Sequence, residues 1–199
     1  PNTLHFDPDK THLRVSVTGL LLLLGLLAAC QDTPSEAHEG TDPAIAASPD
    51  STCEGLGILR GTLSGAINAS LDWPDTALRC ESMPRPDAEG VRLRLSGNVA
   101  GERVAFIIAM PGLEPGAAGA EFSSNVTITV EGSGRFFSTP NLETCWTDVV
   151  RNEPLEDMPD THVIVGDVYC VGPLGEINGD AFVDVSMLHF SSMADWTAK

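Results

Sequence analysis

Large apolar residues alternate with small or polar ones through Leu63-Ser64-Gly65-Ala66-Ile67-Asn68-Ala69-Ser70-Leu71-Asp72-Trp73, with the odd positions carrying most of the bulk. A two-residue period is that of a β-strand with one face on a core and the other in water. Val91, Leu93 and Leu95 repeat the pattern against Arg92, Arg94 and Ser96. A turn from Gly97-Asn98 to Gly101 leads into Val104-Ala105-Phe106-Ile107-Ile108-Ala109-Met110, whose unbroken apolar run predicts a strand covered on both faces. Val126, Ile128 and Val130 alternate with Thr127, Thr129 and Glu131, and Gly132-Ser133-Gly134 then turns into Arg135-Phe136-Phe137-Ser138-Thr139, a hairpin signature. Further strands are expected at 145–150, 163–171 and 181–190, between Gly- and Pro-containing breaks. No helical period is sustained. Residues 53–199 therefore read as one all-β domain, an antiparallel β-sandwich or small barrel of about eight strands.

The N-terminal quarter has no such period. Residues Leu20 to Ala29 are continuously apolar, too short a run to cross a hydrocarbon layer as a helix, which takes about 20 residues. The length suits the core of a signal peptide. The run ends Leu27-Ala28-Ala29-Cys30, which resembles the lipobox of bacterial lipoproteins. The resemblance covers only this signal and lipobox. It implies that the peptidase cuts before Cys30, that the Cys30 thiol carries a covalent diacylglycerol, and that 1–29 are removed. Asp7 and Asp9 do not suit a positively charged signal start, so 1–12 are read as an extension upstream of a true start near Leu13 or Val15. Residues 30–52 are rich in Pro, Ser, acidic and small residues, and predict a flexible tether that cannot bury enough surface to fold. Gln31, rather than Asp, follows the cysteine; by resemblance this favours the outer membrane in a cell that has one.

Charge narrows the partners. The chain has 11 Lys+Arg against 28 Asp+Glu, for a formal net charge of −17. Such a balance argues against nucleic acid, whose affinity comes mostly from Lys and Arg neutralising phosphates. The expected partners are the membrane, through the lipid, and an envelope protein or glycan. With Cys30 assigned to lipid, Cys53, Cys80, Cys145 and Cys170 remain, an even number suited to two disulfides in an exported domain. Sequence leaves three connectivities open; Cys53–Cys80 with Cys145–Cys170 is preferred, because the second pair lies on strands close in order.

Candidate chemistry is sparse. There is no G-x-S-x-G elbow, H-E-x-x-H, phosphate-cradling loop or dinucleotide fingerprint. His162 and His189 are read as strand histidines, with a hydrolase as the alternative if either meets Ser and Asp in space. Carboxylates concentrate at Glu143, Asp148, Glu153, Glu156, Asp157 and Asp160, read as a strand end and a Pro-containing loop, and again around Asp180 and Asp184. Asp148, Glu156, Asp157, Asp160, Asp180 and Asp184 are thus weak Ca²⁺ candidates, since neither stretch has the spacing of a calcium loop. Asn178-Gly179 reads more simply as a tight turn. Residues 110–120 read as a flexible small-residue connection, and Phe136, Phe137, Trp146 and Tyr169 as core anchors. The function expected is a non-catalytic binding or envelope-structural module, with an inhibitor of a basic envelope-active enzyme, a calcium- or carbohydrate-binding domain, or a hydrolase as alternatives.

Overall fold

The alternation from Leu63 to Trp73 is a hairpin rather than a single strand. Gly65 takes φ +99°, and Asn68 Nδ2 donates to the Gly65 carbonyl at 2.8 Å, so the chain reverses between β1 (Ile58–Gly65) and β2 (Ala69–Pro74). Leu63 lies opposite Ala69 and Leu59 opposite Trp73, which keeps the odd positions on one face through the reversal. The period passes through the turn without changing phase, so alternation alone does not reveal the turn.

The computed structural model describes residues 53–83 and 90–197, all within one compact unit. The signal, lipobox and tether readings fall on 1–52, outside the described residues. After β2 a 3-10 turn, Asp75–Ala77, leads to β3 (Arg79–Met83), β4 (Gly90–Val99), β5 (Glu102–Pro111) and β6 (Gly119–Val130). Then come β7 (Arg135–Ser138), β8 (Cys145–Leu155), β9 (Met158–Cys170), β10 (Leu174–Glu176), β11 (Phe182–Val185) and β12 (Leu188–Asp195). The fold is all-β and antiparallel, as expected, but with twelve strands among the described residues. The count exceeds eight because two alternating segments each hold two strands, and because β3 and β10 are too short to show a period.

The pairings close a ring. β6 bonds β7 through Thr127–Val130 and β8 through Gly119–Ser124. β1 bonds β11 and β12 in the same divided way. The path β6–β7–β10–β11–β1–β12–β9–β8 thus returns to β6, with β5, β4 and β3 extending the sheet beyond β6 and β2 beyond β1. Two walls therefore join β6 to β1, a short-stranded one (β7, β10, β11) and a long-stranded one (β8, β9, β12). Inside sits one apolar core, with Phe106, Phe137, Phe190, Leu59, Leu93 and Ile128 fully buried. Trp73 meets Phe106 edge-on, its ring centroid 5.9 Å away, and lies so close over Gly97 that a Cβ there would come within 2.7 Å of the indole.

Both preferred disulfides are present. Cys53–Cys80 (Cα–Cα 5.0 Å) ties the start of the described domain to β3, and Cys145–Cys170 (Cα–Cα 4.1 Å) joins directly opposed residues of β8 and β9.

Candidate functional site

The long wall carries most of the polar chemistry on its outer face, and register explains why. Asp72 lies opposite Arg60, Arg60 opposite His189, His189 opposite Asp167, and Asp167 opposite Asp148, so β2, β1, β12, β9 and β8 each contribute one residue to a single row. Cross-strand neighbours on one face stand close enough to pair. Arg60 Nε donates to Asp72 Oδ1 at 2.8 Å, and Asp148 Oδ1 accepts the Glu121 backbone N–H at 2.8 Å. His189 Nδ1 is 2.9 Å from Asp167 Oδ1. A carboxylate accepts, so Nδ1 carries the proton and Nε2 is the ring nitrogen left for other contacts.

The adjacent row forms the floor of a concavity of about 440 Å³. Ile58 lies opposite Ser191, Ser191 opposite Val165, and Val165 opposite Arg151. The β8–β9 register shifts between Val149 and Arg151, leaving Val150 as an extra residue that bulges outward and is 67% exposed. A bulge places two residues of one strand against one of its neighbour and re-aims them. Here it brings exposed Val150 and Arg151 together at the rim, in a lining that also includes His189, Gly55 and Leu56. The Arg151 side chain makes neither hydrogen bond nor ion pair, whereas that of every other arginine among the described residues is engaged.

His162, the other candidate, faces inward. It is 7% exposed, its Nδ1 lies 2.9 Å from Asn152 Oδ1, and its ring meets Trp196 edge-on at 5.9 Å. Asn152 Nδ2 donates to the Glu114 and Ala117 carbonyls, both at 2.9 Å. This buried network pins the small-residue loop after β5, and Leu113 is fully buried beneath it. The loop is thus an anchored cap and not the slack connection its composition suggests. Among the described residues no Ser or Asp side chain bonds to His162; its ring is held by Asn152 and Trp196.

The carboxylates are scattered. Glu156 and Asp157 occupy the two-residue turn between β8 and β9, and Asp160 is exposed on β9. The Pro-containing loop expected there is a hairpin, in which Pro154 lies opposite His162 beside a register shift. Asp180 lies in the turn after Asn178, which takes φ +63°, and Asp184 is exposed on β11 opposite Ser64. Among the described residues no three His, Cys, Asp or Glu side chains gather in a group that could hold a metal ion. Of the expected aromatic anchors only Phe137 is fully buried; Phe136 is exposed, while Trp146 and Tyr169 stack at 6.1 Å on the half-buried outer face of β8 and β9. Burial of the Tyr169 phenol, with Asp148 and Glu121 nearby, raises its pKa above the ordinary tyrosine value.

The missed feature is Arg151. Its only sequence signal is a cation inside an acidic stretch, and the bulge that exposes it arises from pairing. Fold and site define a disulfide-linked all-β ring with a small apolar concavity and a cationic rim on its outer face. Compared with known protein families, curated proteins and solved structures, the chain matches none.

Proposed function

We propose that this protein is a bacterial cell-envelope lipoprotein, held to the membrane through a diacylglycerol on Cys30, whose all-β domain is a non-catalytic binding module. Gln31 favours the outer membrane where the cell has one. The observation that carries the binding reading is the concavity walled by Ile58, Val165 and Val150 with the unpartnered Arg151 at its rim. Its volume and mostly apolar lining, with a few polar groups, are those of a ligand site. Two measurements test the proposal. Labelled palmitate enters the wild type but not Cys30→Ser; equal label in both removes the anchor. A photo-crosslinker replacing Val150 captures a defined envelope component in whole cells, whereas one replacing Phe136 on the other wall does not. Equal capture at both positions, or none at 150, removes the binding site.

One observation favours a second reading, a hydrolase. His189, paired with Asp167, lines the concavity together with Ser191. Half of a nucleophile-activating triad is thus in place, but Ser191 Oγ makes no hydrogen bond to His189, and the two stand two residues apart on one strand. A fluorophosphonate probe decides: labelling lost in Ser191→Ala supports the hydrolase, and no labelling supports the binding module.

A further inference from the structure

We infer that the concavity takes a ligand bearing one carboxylate next to a compact apolar group, such as the C-terminal residue of a peptide or a short free carboxylic acid, with Arg151 holding the carboxylate. The inference rests on the binding-module reading and names what the module recognises. Its first support is the solitude of Arg151. In a chain with 28 acidic residues, its guanidinium is left without an anion although Glu153 lies two residues along the same strand. Arginine presents a planar fork of donors that fits a carboxylate in bidentate fashion, and Arg151 is exposed in the lining of the concavity with that fork free to take one.

The remaining lining decides what accompanies the charge. Ile58, Val165 and Val150 offer apolar surface, and the Ser191 hydroxyl is the polar group of the floor. His189 Nε2, left over from the bond to Asp167, adds one hydrogen-bonding position at the edge. Such a surface suits an aliphatic side chain or short alkyl chain rather than a sugar, which would need polar groups throughout. Asp167 and Asp148 stand side by side behind His189. Arg151 offers one charge-assisted fork for a monoanion, and the Asp167 and Asp148 carboxylates on the same face weigh against a more highly charged phosphate dianion by like-charge repulsion.

The test follows the Arg151 Nε–H signal and the Val150 and Val165 methyl signals by NMR in the full chain, titrated with N-acetyl-leucine, N-acetyl-leucinamide, hexanoate and hexyl phosphate. N-acetyl-leucine or hexanoate shifts these signals saturably, and the uncharged leucinamide binds at least about tenfold more weakly, the worth of one good charge-assisted contact. Arg151→Gln weakens the carboxylate to the level of the amide, and Arg151→Lys falls between. Binding by N-acetyl-leucine alone identifies a peptide terminus as the source, and binding by hexanoate alone a free acid. Equal binding of amide and acid, unchanged binding in Arg151→Gln, tighter binding of hexyl phosphate, or no saturable shift with any probe overturns the inference. Capture at position 150 that persists in Arg151→Gln separates the two claims, keeping the binding module and removing the carboxylate.

Discussion

The two walls that join β6 to β1 are built from the same number of strands and do different work. The long wall has strands of 11, 13 and 8 residues, a cross-strand disulfide, two register shifts and a charged outer face with a concavity. The short wall has strands of 4, 3 and 4 residues and an outer face where Phe136, Ile177 and Phe182 stand exposed. Its ladder is brief, so it relies on side chains: Arg135 Nε donates to Glu176 Oε1 at 2.6 Å while its guanidinium lies 4.9 Å above the buried Phe137 ring. Extended pairing gives the long wall a stable frame on which irregularities can be placed. The short wall mainly closes the ring, and irregularity there would cost it most of its bonds.

The largest test of this contrast removes the Cys145–Cys170 bridge. Replacing both by Ser is expected to lower stability by about 2–4 kcal/mol in urea denaturation, through the freedom regained by the unfolded chain. Native-state amide exchange should rise first in β8 and β9; an equal rise in β7, β10 and β11 would show the walls to be one unit. Next, Asn152→Ala leaves His162 and two loop carbonyls without their partner, at about 1–3 kcal/mol. Faster exchange at the Leu113 and Ala117 amides is the signature, and unchanged exchange there would mean the cap is held by Leu113 alone.

A smaller effect belongs to the short wall. The Arg135 hydrogen bond holds the Glu176 carboxyl below the usual carboxylate range. A folded-state pKa lowered in this way stabilises above the unfolded-state value and is lost as pH falls through the folded one. Protection of the Glu176 and Ile177 amides, corrected for the intrinsic exchange rate, should therefore fall on acidification, and Glu176→Gln should abolish that dependence. The least perturbing measurement uses the lone tyrosine of the chain. Its phenolate absorbance should appear at higher pH than in an exposed tyrosine, and Asp148→Asn should bring it part of the way back, since burial, the larger cause, remains. A midpoint unmoved by Asp148→Asn would detach Tyr169 from the charged row.

What was legible in the sequence follows the same division. The alternations at Val91–Leu95 and Val126–Val130, the apolar run into Met110 and both cysteine pairs translate directly into strands and bridges, because burial on one face leaves its mark every second residue. In the short wall β7 was marked by the hairpin signal at Gly132-Ser133-Gly134, but β11 was merged with β12 and β10 left no mark, since three or four residues cannot display a period. The site was least legible of all. Residues 58, 151, 165, 189 and 191 come from four strands, and only their register, with the extra residue at Val150, brings them together. Asn152 was equally silent, since nothing local distinguishes a buried asparagine bonded to two distant carbonyls from an exposed one.

The Cys53–Cys80 bridge has a mechanical consequence. Cys53 is fully buried and precedes β1 by a single turn, in which the Leu56 N–H donates to the Cys53 carbonyl at 2.9 Å. Tension drawn through the chain ahead of it enters β3 through a covalent bond and is shared with the β4 ladder, which pairs Arg79–Met83 along their whole length. Force applied from that side thus loads several strands together instead of peeling Ile58 away first. The domain should resist being pulled from its N-terminal side while oxidised, and become unzippable, one hydrogen bond at a time, once that single bridge is reduced.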